Sequence, residues 1–197
     1  MNTKARIFFT GVGGQGTLTA TILLAQAAMR KGLAVTAGEV HGMAQRGGVV
    51  ESTLLIGGFS SPRIAPGEAD VLLGFEPLET LRAMSYLKPG GLVVSNAEPI
   101  LPVGVTMGRE VYPDLAQLTA TVSGCAGRAL FLPCLSLGIK AGAVQSGNLA
   151  LIGAACATGA LPVSVEDLKA AARERLSPKI LDMNLTAIDL GVAALTA

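Results

Sequence analysis

The sequence predicts a single three-layer α/β domain over residues 1–197, Rossmann-like, with a mostly parallel sheet and closing helices. Three observations predict it. Short apolar runs alternate with segments of helical period, the connections between them are short, and a glycine-rich turn stands at the first junction of strand and helix.

Ala5–Thr10 is an apolar run that ends in Gly11 and reads as the first strand. Thr17–Lys31 repeats apolar residues at Leu18, Ile22, Ala25 and Met29, the spacing of one helical face. Gly32 stops that helix and Leu33–Ala37 reads as a second strand, so the opening unit is expected to be a right-handed βαβ whose strands form a parallel pair. Val49–Ile56 is a third strand, and Gly57–Gly67, with Pro62 and Pro66, is a surface loop. Ala69–Phe75 is a fourth strand. Pro77 suits the first position of a helix that runs from Leu78 to Leu87, packs through Leu78, Leu81 and Leu87, and ends at KPGG before a fifth strand, Gly91–Ser95. Val103–Met107 and Arg128–Leu132 read as further strands around a helix from Pro113 to Val122. Ser164, with Asp167 three residues on, caps a helix over Val165–Leu176; Ser177 and Pro178 open a last helix that Gly191 is expected to close.

Composition narrows the function classes. Fifteen Lys and Arg against fourteen Asp and Glu leave a net charge of +1, so neither nucleic acid nor an anionic membrane is favoured as a partner. Charged residues make up only 15% and mean hydropathy is +0.54, so either the core is unusually large for this length or apolar surface is buried against another protein, and the partner is the favoured reading. The most apolar stretches, Leu18–Met29 and Leu149–Ala160, are shorter than the roughly 20 residues that span a bilayer. The opening MNTKARIFFTGVGG lacks the charged, apolar and cleavage regions of a secretory leader, so a cytoplasmic location is expected. Cys125, Cys134 and Cys156 are widely spaced, with neither CxxC pairs nor a cluster; they read as reduced, buried, small apolar residues, and no metal or iron–sulfur site is expected.

Two glycine-rich loops carry the chemistry. Gly11-Val-Gly13-Gly14-Gln15-Gly16 fits GxGxxG where a strand meets a helix, and backbone N–H groups with the helix dipole favour an anion there. Glu39 lies near the end of the second strand, where a dinucleotide-binding fold places the acid that holds the ribose of NAD, so an NAD site is one reading. The small residues can equally serve only to let a tight strand-to-helix turn pack closely, which is the favoured reading of the two. Alternatively, Gly13, Gly14 and Gln15 leave room for another molecule's backbone or phosphate, with the amide free to donate and accept. The second loop, Glu39 to Gly48, gathers His41, Gln45, Arg46, Gly47 and Gly48. Each has a plain structural use: His41 can cap a strand, Arg46 can pair with Glu39 or Glu51, and the glycines can turn the chain. Sequential parallel strands would put both loops at the carboxyl edge of the sheet, where ligands bind. No nucleophile beside a base and no metal-ligand set accompanies them, so the edge reads as a docking surface or half-site. His41, Gln45 and Arg46 are the candidates for a catalytic contribution; Gly11, Gly13, Gly14, Gln15, Gly16, Glu39, Gly47 and Gly48 are the candidates for contact with a cofactor.

The segments GVGGQGTLTATILLAQAAMRKG, GEVHGMAQRGGVVES and IAPGEADVLLGFEPLETLRAMSYLKPGGLVVSN resemble the gamma domain of the 2-oxoacid:ferredoxin oxidoreductase family. HGMAQRGG is similar to the indolepyruvate type within it, and the tail from Lys140, with Asn148 and Asn184, resembles the family's closing helices. The resemblance implies a small subunit of a complex that oxidatively decarboxylates an arylpyruvate, joins the acyl group to coenzyme A and passes electrons to ferredoxin. It also implies a large partner subunit that holds thiamine diphosphate, Mg and the iron–sulfur clusters, and a chain that is inactive by itself; separately, a chain whose partner-covered surface is left open is expected to pair with a second copy when isolated. Two other readings stand beside it: a self-sufficient NAD- or FAD-dependent enzyme, and a purely structural scaffold.

Overall fold

The computed structural model describes residues 3–41, 48–101 and 103–195. Among these residues six strands form one sheet: β1 (Ala5–Val12), β2 (Val35–His41), β3 (Val49–Ile56), β4 (Ala69–Gly74), β5 (Leu87–Asn96) and β6 (Arg128–Leu132), in the order β2-β3-β1-β4-β5-β6. β1, β4, β5 and β6 pair in parallel, whereas β3 is antiparallel to both β1 and β2. The expected β1–β2 pair is therefore corrected, since β3 lies between them. The connection over 42–48 is shorter than the dozen or so residues a parallel crossover needs, so β3 folds back antiparallel on β2, and it is β3 rather than β2 that takes the place beside β1.

Helices cover both faces. Ile7, Phe9, Leu54, Ile56 and Leu73 point to the side covered by α1 (Thr17–Arg30) and α6 (Gly147–Ala157). Phe8, Leu55, Leu72 and Val93 point to the smaller core under α2 (Pro77–Arg82) and α4 (Leu115–Cys125). α6 is apolar all round because it is enclosed all round, with Leu149 through Cys156 buried. This enclosed helix accounts for part of the high hydropathy without any partner.

Several boundaries move. Pro77 is at the start of α2 as expected, with Glu76 as its N-cap, but the helix ends at Arg82 in a 3-10 turn over Ala83–Tyr86 and Leu87 already belongs to β5. Val103–Thr106 is a single helical turn, α3, rather than a strand; a β-branched run of that length fits either state when no neighbour strand is available to it. α5 (Cys134–Ala141) had no clear sequence signal. Ser164 and Asp167 form a complete capping box on α7 (Val165–Arg175), with Asp in the place usually held by Glu or Gln. Burial works upward on the Asp167 carboxyl, but the Ser164 hydrogen bonds and Lys31 outweigh it and hold the group below its ordinary range.

Gly191 does not close the last helix; it lies inside α8 (Pro178–Ala193). A Cβ there would sit 2.0 Å from the Ala150 carbonyl oxygen, so the glycine is what lets α8 lie against α6. Cys134 and Cys156 are buried as expected, but Cys125 is exposed at the end of α4.

Candidate functional site at the carboxyl edge

The ends of β1, β4, β5 and β6 and the start of β3 converge on one edge of the sheet. The Gly13 N–H donates to the Gly48 carbonyl at 2.9 Å, so the two glycine loops do meet, through the β2–β3 hairpin rather than through adjacent parallel strands. Gln15 is engaged within the fold. Its Oε1 accepts from Val12 N–H at 2.6 Å and its Nε2 donates to the Phe75 carbonyl at 2.7 Å, which ties β1 to the end of β4. Asn96 Nδ2 donates to the same carbonyl at 3.2 Å, and its Oδ1 accepts from Cys134 N–H at 3.0 Å, tying β5 to the start of α5. Gly16 has φ +79, and a Cβ there would lie 2.3 Å from Asn148 Nδ2, which donates to the Gly16 carbonyl at 3.3 Å. The start of α1 is thereby locked to the start of α6. Asn148 Oδ1 is buried without a hydrogen-bond partner.

Two clefts flank the end of β1. The first, about 280 Å³, lies between the glycine turn and the starts of α5 and α6; Gly13, Gly14, Phe75, Leu135 and Asn148 are among its walls, and none of its described lining residues is charged. The second, about 300 Å³, lies on the α2 side and includes Glu76, Glu79, Arg82 and Tyr112. Glu76 is 1% exposed; it accepts from the Glu79 N–H at 3.0 Å and from the Tyr112 hydroxyl at 2.5 Å. Burial pushes the Glu79 carboxyl up in pKa even though Arg82 pairs with it, and burial pushes Glu51 up as well. The Tyr112 hydroxyl is raised by burial and by Glu76. Nothing in the sequence pattern marked Tyr112 as the anchor that pins the chain between β5 and α4 across this edge, because its partner is 36 positions away.

Of the residues singled out from the sequence, Gly13, Gly14 and Gln15 line the first cleft and Gly48 lines the second. Gly11 lies within β1 and Gly16 caps α1. Glu39 is in β2, in register with Ser52, which in turn faces Phe9; it is two strands from β1, about 10 Å at about 4.8 Å per strand, and it lines neither cleft. In a dinucleotide-binding fold the acid-bearing strand adjoins the first strand, and here β3 intervenes. His41 ends β2 opposite Val50. Gln45, Arg46 and Gly47 lie outside the described residues.

Among the described residues, the cysteines and carboxylates are not arranged as an iron–sulfur cluster or a diphosphate-bound magnesium would need. Among the described residues no three His, Cys, Asp or Glu side chains group to hold a metal. Burial drives the Cys134 thiol up and the Cys156 thiol to about 12, opposing the thiolate that ligation needs. No helix of the described residues is long and apolar enough to cross a membrane.

Comparison with known proteins gives a consistent picture. The family model described as pyruvate ferredoxin/flavodoxin oxidoreductase matches residues 6–194. The chain is 46% identical over 190 residues to the indolepyruvate oxidoreductase subunit IorB of Pyrococcus horikoshii, covering 95% of this chain and 94% of that protein. The gamma subunit of a keto/oxoacid ferredoxin oxidoreductase from Geobacter sulfurreducens PCA has the same fold, with TM-score 0.71 and 23% identity over 98% of this chain and 99% of that one. A 2-oxoglutarate:ferredoxin oxidoreductase from Magnetococcus marinus, solved with 2-oxoglutarate, coenzyme A and succinyl-CoA bound, contains the fold as 32% of its chain; all of this chain is covered, with TM-score 0.74 and 20% identity.

Proposed function

Because this chain belongs to the pyruvate ferredoxin/flavodoxin oxidoreductase family, we propose that it is the small subunit of a 2-oxoacid:ferredoxin oxidoreductase of the indolepyruvate type. The observation that carries this is the end-to-end match to a subunit of nearly the same length, 95% of this chain against 94% of the relative. The assembled enzyme would convert an arylpyruvate and coenzyme A to acyl-CoA and carbon dioxide, with the electrons passed to ferredoxin. Thiamine diphosphate, Mg and the iron–sulfur clusters would be held by a large partner subunit, since the side chains described here do not suit them.

The carboxyl edge is the part of this chain that would face the partner. It carries exposed apolar side chains between β5 and α4, with Leu101 at 51%, Met107 at 62% and Val111 at 93% exposure. The two glycine loops, tied at Gly13 and Gly48, would offer backbone N–H groups, and Arg46 would offer a fixed positive charge to a substrate carboxylate or a phosphate. His41 and Gln45 would lie on the same hairpin connection. Isolated from its partner, the chain would cover the same surface by pairing with a second copy.

A scaffold-only role has one observation in its favour: the amides of Gln15 and Asn96 are engaged inside the fold rather than aimed outward. Arg46→Ala separates the two readings. Loss of a charge-assisted contact at a reaction centre should lower ferredoxin reduction by the reconstituted complex by about 10- to 100-fold, with assembly intact. Unchanged turnover would remove the positioning role and leave the scaffold.

A further inference from the structure

α1 has two apolar faces, and only one of them is buried. Ala20, Leu23, Leu24, Ala27 and Ala28 enter the main core. On the other side Leu18 is 42% and Met29 59% exposed, with Ile22 and Ala25 half-buried between them. These four follow one another at steps of four, three and four residues, the spacing by which one helix seats against another. No residue of α1 before Arg30 is charged, and Thr19 and Gln26, which flank the stripe, are neutral. Arg30 and Lys31, where the helix ends, are held by Glu174 and Asp167. Flanking charges select one helical partner over another or keep a helix from its own copy, and this stripe has none.

The spacing is also self-complementary. When two such helices lie antiparallel, one register sets Leu18 opposite Met29 of the other copy and, at the same time, Ile22 opposite Ala25. A bulky side chain then meets a small one on both sides of the twofold axis, and a branched side chain meets a flexible one at either end, so volumes match along the whole seam.

We propose that the exposed stripe of α1 is the seat of a second copy of this chain, the two helices packing antiparallel across a twofold axis. α1 begins at the glycine turn and runs away from the carboxyl edge for about 21 Å. The pairing therefore points the two carboxyl edges in opposite directions and leaves each one open to a large subunit of its own. One helix face supplies only part of the roughly 800 Å² per partner that a firm dimer buries, so the contact is reversible, with a Kd on the order of 10 μM.

Sedimentation equilibrium on the full chain tests this, with Met107→Asp and Val111→Asp present throughout so that pairing through the carboxyl edge is removed. A monomer–dimer equilibrium is expected to remain. Adding Leu18→Glu with Met29→Glu, both at exposed positions, should leave the circular dichroism spectrum unchanged and weaken pairing at least about tenfold, because the register sets carboxylate against carboxylate. Leu18→Lys with Met29→Lys should weaken it in the same way. Mixed together, the glutamate and lysine variants should pair again with each other, since each carboxylate then faces an ammonium group. Absence of dimer at about 100 μM, ten times the expected Kd, would overturn the proposal. So would a glutamate variant that pairs as well as its parent, or a mixture that stays monomeric. No large subunit enters these measurements, so their result neither depends on the oxoacid reading nor decides it.

Discussion

Gly191→Leu should destabilise the chain by about 3 kcal/mol or more, and it should do so far from the carboxyl edge. α6 and α8 approach so closely that a Cβ on Gly191 would fall 2.0 Å from the Ala150 carbonyl oxygen, and a Cβ on Gly153 would fall 2.8 Å from that of Ile188. Backbone is what each would strike, so no side-chain rotation relieves the clash. The helices would have to separate, opening the contacts of Leu149, Ala150 and Ile188 in the main core. Gly191→Ala should fall between the original chain and the leucine variant. Guanidinium denaturation followed by circular dichroism measures both; a leucine variant within about 1 kcal/mol of the original would show that the helix pair is more pliable than its packing implies.

A second large effect is expected at the edge itself. Met107 and Val111 are 62% and 93% exposed, so Met107→Asp combined with Val111→Asp should leave the fold's stability nearly unchanged. Burying two carboxylates against a partner is costly, and affinity for the large subunit should fall by about 30-fold or more. The same pair of substitutions should raise the solubility of the isolated chain and suppress any self-pairing through that surface. Affinity measured by surface plasmon resonance decides it, since retained binding would place the partner on another face.

The strand and helix pattern was largely legible because burial on one face imposes a period. α1, β3, β4 and the capping box at Ser164 all follow from that or from local hydrogen bonding. The order of the strands was not read from the same pattern, since Val35 and Val49 look alike whichever neighbour they pair with. The short connection over 42–48 implies that β2 and β3 pair as a hairpin, but it does not say which of the two adjoins β1. The meeting of the glycine loops was anticipated, although the geometry that produces it differs. What escaped the sequence were roles set by distant partners: Gln15 reaching Phe75, Tyr112 reaching Glu76, Asn148 reaching Gly16, and Gly191 making room for Ala150. Gly191 is instructive, because a glycine near a chain end reads as a helix stop and only the neighbouring helix shows that it serves close approach.

The most direct test of the account is ferredoxin reduction driven by an arylpyruvate and coenzyme A, assayed with this chain alone, with its large partner alone, and with the two recombined. Activity is expected only on recombination. Turnover by this chain in the absence of any partner would contradict the claim that its glycine-rich edge completes a reaction centre held by another subunit.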